Sequence, residues 1–459
     1  MDASLPRAKS SRKLGRGAKF MIGTVTGLLA LAAALDYTVT KRNELPNITI
    51  PASPEPKPNA RTFFLAAAGA IQDSKSVDAA ISNPPQTKNA ASPHFSRAAD
   101  KTHIYTLAEK TKLVRENQKS LALLREGFSY SYGSRPYRSI NDTFPEFAKC
   151  RQMARLLTLE SQVKEARGDW NAAMNSELDA VELGVMMPRN GALIADLVGV
   201  ACEAIGRRRM WDDYKRLNAA QSLAALRRLE KIEGKRFQYA DTMEEEKRFG
   251  QAALLEAFRS SEGVPVNELA DLDNSEGKPE TPLQKWAWKT QVTLTGKRVI
   301  FENYTRYMNQ IVEDARKPYG LHLPPPPAPT DPVNQISAGI FDIARLKPAQ
   351  SETENHLLAV SLALQIYRQS HGAYPQSLDA VKANVLARLL ADPFAAQGNL
   401  RYRRDGAKYV LYSVGPDGRD DGGKPIYDKT KSLSSDGSER ARYFVEQNSV
   451  GDVVAGVNQ

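Results

Sequence analysis

The residues best placed to do chemistry in this 459-residue chain lie in one stretch, LYSVGPDGRDDGGKPIYD, residues 411–428. It holds four aspartates, Asp417, Asp420, Asp421 and Asp428, and four glycines, directly after a run that reads as a β-strand. Calcium takes about six to eight oxygen ligands in irregular geometry, and glycines let carboxylates and carbonyls converge on one point. Four carboxylates this close repel one another unless a cation or solvent intervenes. Two readings follow: a calcium loop using Asp417, Asp420, Asp421 and Asp428, or a solvated turn. Counted from Asp417, the aspartates fall at positions 1, 4, 5 and 12 with glycine at 6. That partly mimics an EF-hand, but Arg419 fills a ligand position and a strand precedes the loop, which excludes the motif.

A second group of carboxylates, Asp241, Glu244, Glu245 and Glu246, stands among Lys235, Arg236, Lys247 and Arg248. Paired carboxylates on a helix can do acid-base work. Charges of mixed sign three or four residues apart more often make a solvated helix face. The five histidines have no cysteine or carboxylate at ligand spacing, and there is no GxSxG, phosphate-binding loop or dinucleotide fingerprint. Cys150 and Cys202 stand outside any zinc pattern and inside helical patterns, so they are expected as two buried thiols rather than a disulfide. No catalytic residue is assigned. A binding or scaffolding role is favoured, with a hydrolase built on the 241–246 carboxylates as the alternative.

These groups need elements to hold them. Composition is globular, 41% hydrophobic and 25% charged, with a formal charge of +10. Arg7, Lys9, Arg12, Lys13, Arg16 and Lys19 oppose Asp2 alone in residues 1–19, and no basic stripe is interleaved with aromatics, so nucleic acid is excluded as a partner. The basic tail runs into an uncharged stretch, 20–35, which extended to residue 40 has the length of a membrane span. Basic flanking residues keep their side cytoplasmic. The expectation is a single-pass anchor in the inner membrane with the bulk outside the cytoplasm, against the competing readings of a cleaved signal peptide or a buried core helix.

Residues 41–101 read as a spacer with a short helix; its 44–60 stretch carries five prolines. Residues 102–320 are helical by pattern, with helices expected from about Asp142 to Ala166 and over 170–187 and 192–207. Within them ARGDWNAAMNSELDAV, residues 166–181, resembles the centre of a tetratricopeptide repeat: a Gly168-Asp169-Trp170 turn, then small Ala173 and Ala180 where two helices must approach closely. Such a repeat implies a helical-hairpin array that binds protein partners.

Residues 321–333 form a proline-rich linker, 334–428 a small α+β module and 429–459 a flexible tail. In the module a helix is expected from about Glu352 to Ser370, then a hairpin of strands 400–404 and 408–414 turning at Asp405-Gly406. The order of a helix ending in Gly372-Ala373-Tyr374-Pro375, then Asp392-Pro393-Phe394, a hairpin and a Tyr-Ser-x-Gly-x-Asp-Gly loop resembles the C-terminal domain of the type II secretion major pseudopilins. That resemblance implies calcium in the last loop, with Asp417 as the first ligand. The pilin-type processing site is missing upstream, so no pilin-like assembly is implied. The whole reads as α+β: an N-terminal transmembrane helix, a helical repeat-like domain and a pseudopilin-like module, acting as an interaction scaffold of a bacterial envelope.

Overall fold

The computed structural model describes residues 35–82, 103–137, 139, 142–259, 290–321, 326–335, 340–386, 388–434 and 438–458. The structure is 61% helical and, among the described residues, carries three short antiparallel strands, which corrects the α+β expectation to a mainly helical one. After a short helix at 35–43 come α1 (Ala60–Gly69), α2 (Ser74–Ser82), α3 (Leu107–Glu116) and α4 (Gln118–Gly127). They cover one side of α5 (Pro145–Glu165), α6 (Trp170–Met186) and α7 (Leu193–Asp213). Then come α8 (Ala219–Glu233), α9 (Tyr239–Arg259), α10 (Lys297–Ala315), α11 (Ile340–His371) and α12 (Leu378–Asn384).

The hairpin at the centre forms for local reasons. Pro145 opens α5, where its missing N–H breaks no helical bond. Gly168, at φ +80°, ends the helix, and Asp169 caps α6 by accepting the Ala172 N–H. Ala173 and Ala180 are fully buried, as close helix packing requires. Packing of α6 on α7 is tighter still. A Cβ at Gly184 would stand 2.4 Å from the Gly199 carbonyl oxygen, so the two backbones touch where both residues are glycine.

The last helix of the array, α11, is buried on nearly every face from Leu357 to Leu364. One side meets α7 and α8, the other a sheet of order β1 (Arg401–Asp405), β2 (Lys408–Ser413), β3 (Val453–Val454). The β1–β2 register pairs Asp405 with Lys408 around Gly406 at φ +56°, the hairpin expected from Asp405-Gly406. A single apolar cluster runs from Met174 and Leu178 through Leu229 and Leu362 to Leu411 and Val453. The helices before the proline-rich segment and the module after it therefore share one core. Helix α11 begins a dozen residues before the expected start and runs through Pro348. Proline removes one helical hydrogen bond, but the buried length on both sides of it keeps the helix continuous.

The expected anchor, with the membrane location that rested on it, is also corrected. Among the described residues no helix is long and apolar enough to cross a membrane. Of 20–40 only residues 35–40 are described; they are helical and exposed, and the helix continues to residue 43. Charged Asp36, Lys41 and Arg42 interrupt its apolar character, and Asn43 docks it on the body, donating to the Thr293 carbonyl and accepting the Lys297 N–H. Residues 1–34 lie outside the described residues. The proline-rich 44–60 stretch also packs: Asn190 donates to the Pro54 carbonyl, and the Asn59 side chain is bonded both ways with Gly133.

Candidate functional site

A groove of about 500 Å³ lies where the end of α7 meets the sheet. Trp211 and Tyr214 wall one side, Arg368 and Tyr374 another, residues 407–411 form the floor, and residues 454–457 close the end. The aromatic rings brace one another: Tyr374 packs edge-on against Tyr409 with centroids 4.7 Å apart, and the Tyr214 and Tyr409 hydroxyls are 3.3 Å apart. Arg368 lies over the Tyr374 ring and donates to its hydroxyl. The lining holds Lys215, Arg368 and Lys408 and no acidic side chain.

The floor is an open strand edge. β3 pairs only with Tyr412 and Ser413 of β2, and the Ala455 N–H then donates to the Leu411 carbonyl before the chain turns at Gly456, φ +75°. In an antiparallel strand alternate residues point their backbone groups to the same side, so those of Tyr409 face the side that Leu411 faces. β3 does not extend far enough to meet them.

The four aspartates of 411–428 are placed separately. Asp417 accepts from the Arg419 and Gly451 N–H groups. Asp420 accepts from the Tyr412 hydroxyl and the Gly422 N–H and stands 3.5 Å from Arg401. Burial pushes its pKa up, but these donors outweigh that and hold it below the usual carboxylate range. Asp428 is taken up by the Thr430 hydroxyl and N–H, which lower its pKa. Asp421 is exposed and gives its backbone N–H to Asp452. No three of these carboxylates converge within ligand distance of one another. As placed they do not fit a shared calcium cage, and Asp417, Asp420 and Asp428 each accept an N–H of their own turn. The loop is organised by two aspartates that its spacing did not single out. Asp392 accepts from Ser413, Val414 and Phe394, and Asp452 from Asp421 and Gly423. Burial, with Asp420 and Asp421 nearby, pushes Asp452 up to about 6.

The 241–246 carboxylates do not form a site either. Glu244 pairs with Lys247, Glu245 with Arg248, and Glu246 accepts the Leu193 N–H, its pKa raised by burial. Asp241 is exposed. Arg236 of the same stretch, read as solvated, instead joins a buried network. It pairs with Glu203 and Glu233, while Arg207, 2% exposed, pairs with Glu354 at 2.6 Å and donates to Ser351 and Asn355. This network ties α7 and α8 to α11.

Two more buried acids stand apart. Asp196 lines a cleft of about 350 Å³ with Arg236, Arg345 and Glu352, has an unpartnered Oδ2, and is pushed up to about 7 by burial. At the far end of α7, Glu165, Glu177 and Asp213 bring one carboxylate oxygen each within 4.8 Å of the others. Burial first, then neighbouring Asp213, raises the Glu177 pKa well above the carboxylate range, and burial with Glu165 pushes Asp213 up to about 7. Cys150 and Cys202 are free and buried. No family model, curated protein or solved structure matches the chain.

Proposed function

We propose that the chain is a non-enzymatic protein-interaction module that accepts an acidic, extended polypeptide segment as an added strand on β2. The open edge at Tyr409 on the floor of the groove carries this reading. An incoming strand would bond Tyr409's backbone groups, which gives affinity without sequence preference. Alternate side chains of the guest would meet the Tyr214, Tyr374 and Tyr409 rings. Lys215, Arg368 and Lys408, with no acid among the lining residues, select negative charge at its flanks. The rigid helical array supports the reading, because the groove wall is the end of a helix locked into the common core.

The test uses Trp211, 4% exposed at the groove wall, as the reporter. A ten-residue peptide alternating glutamate and valine is titrated against the full chain, beside the same peptide N-methylated at alternate residues. Binding at about 10–100 μM that N-methylation abolishes, and that Lys215→Glu with Arg368→Glu weakens at least about tenfold, is the expected result. Equal binding of both peptides, indifference to the charge reversals, or no binding refutes the proposal.

A further inference from the structure

Glu165 is the last residue of α5, Asp213 the last of α7, and Glu177 faces both from α6. Glu177 is 0% and Asp213 3% exposed, and Glu177 Oε2 and Asp213 Oδ2 have no hydrogen-bond partner. Glu177 and Asp213 stand within hydrogen-bonding reach of each other, so two buried carboxyls without another donor need either a shared proton or a cation between them. Two helix C-termini end there as well, adding the negative ends of their dipoles. Against three carboxyls stand Arg209, which grips Glu165 through Nε at 2.5 Å and through Nη2, and Lys110, close enough to Glu165 to interact with its charge. Ser161 adds a hydroxyl oxygen, bonded to Glu177 Oε1 at 2.7 Å and to Glu165 Oε1 at 3.0 Å.

We propose that Glu165, Glu177 and Asp213, with Ser161 beside them, form a site for one hard divalent cation of the magnesium or manganese class. The donors are all oxygen, with no imidazole or thiolate, which disfavours zinc and copper. Three carboxylates leave room for waters to complete a six-fold shell. Arg209, paired with Glu165, is the partly exposed member of the cluster, its side chain 31% exposed. The site joins the ends of α5 and α7 to the middle of α6, so an ion there would lock the array from which the groove wall projects.

The experiment titrates manganese into the full chain and follows free manganese by electron paramagnetic resonance, with melting temperature as a second readout. One manganese bound per chain, displaced by magnesium, is expected. Glu177→Gln should fold, because the ion-free carboxyl is already neutral and the amide keeps its volume, and should weaken binding at least about tenfold while abolishing the manganese-dependent melting shift. Asp417→Ala, in the separate aspartate loop, should leave both unchanged. No binding overturns the proposal, as does binding that survives Glu177→Gln or is lost in Asp417→Ala. Should Glu177→Gln fail to fold, Ser161→Ala must still reduce the affinity, and unchanged binding there is equally fatal.

Discussion

Replacing Asp196 tests how strongly burial governs the charges of this fold. The carboxyl lies in the first turn of α7, 5% exposed, and burial pushes its pKa up to about 7 from the usual 3.8, with Glu203 adding to the rise and Arg236 opposing it. A carboxyl that holds its proton more tightly when folded contributes stability that is fully present below the unfolded value, 3.8, and lost as the pH rises through about 7. Between about pH 5 and pH 8 the unfolded chain gains on the folded one over about two pH units, at about 1.4 kcal/mol each, so this group removes about 3 kcal/mol. Asp196→Ala abolishes that titration. Urea unfolding of the full-length wild type and variant at about pH 5, 6, 7 and 8 measures the effect as a difference, in which the titrations of Glu177, Asp213 and Asp452 cancel because both chains carry them. The variant should gain about 3 kcal/mol on the wild type across that range, and Asp196→Asn should give the same slope with the volume kept. A difference that stays flat to within about 0.5 kcal/mol would refute the argument that the folded state strips this carboxylate of solvent.

Three further outcomes follow from packing and pairing. Gly184→Ala puts a methyl group against the Gly199 carbonyl and the Glu203 N–H, neither of which can rotate away, and should cost at least about 3 kcal/mol or prevent folding, read by urea unfolding. Arg207→Ala strands Glu354 without its buried partner and should cost about 3–5 kcal/mol, whereas Arg227→Ala, on an exposed pair with Glu230, should cost less than about 1 kcal/mol. About 2 mM calcium should leave the melting temperature of the full chain unchanged, since Asp417, Asp420 and Asp428 already take donors from their own loops; a rise of several degrees that Asp417→Ala removes would show the loop re-forming around the ion.

What the chain shows in its sequence and what it hides divide along physical lines. Features set by neighbours in sequence are legible: the Gly168-Asp169-Trp170 turn, the Asp405-Gly406 hairpin and the small Ala173 and Ala180 all appear where their local chemistry puts them. Features set by distant neighbours are not. Pro348 looks like a helix boundary because one lost hydrogen bond is visible in the sequence, while the flanking burial that outweighs it is not. Arg236 looks solvated because Glu233 stands three residues away, but its second partner, Glu203, comes from α7 and its surroundings from α11. Asp196 carries no signal at all, since one aspartate in the first turn of a helix is what a favourable dipole interaction predicts.

The groove was illegible for the same reason, and the reason bears on how it is held together. Its walls come from 211–215, 368–374, 407–411 and 454–457, four segments that no spacing rule connects. Two lie beyond the long helix α11, one is its end, and the first belongs to the helical array upstream of the proline-rich segment. The groove therefore exists only while the upstream array grips α11, and that grip is the apolar cluster from Leu178 to Leu362 together with the Arg207–Glu354 and Glu203–Arg236 pairs. Buried ion pairs contribute little net stability compared with apolar residues of the same volume, but a mispaired one is strongly unfavourable. Leucines and valines alone would let α11 slide by a turn against α7 and α8 with little change in buried area. Arg207 tolerates no such slip, because Glu354, Ser351 and Asn355 meet it in one register only. The charges buried in the middle of this fold thus fix the alignment that brings Tyr374 and Tyr409 opposite Tyr214, at the end of α11 about 25 Å along the helix from Glu354.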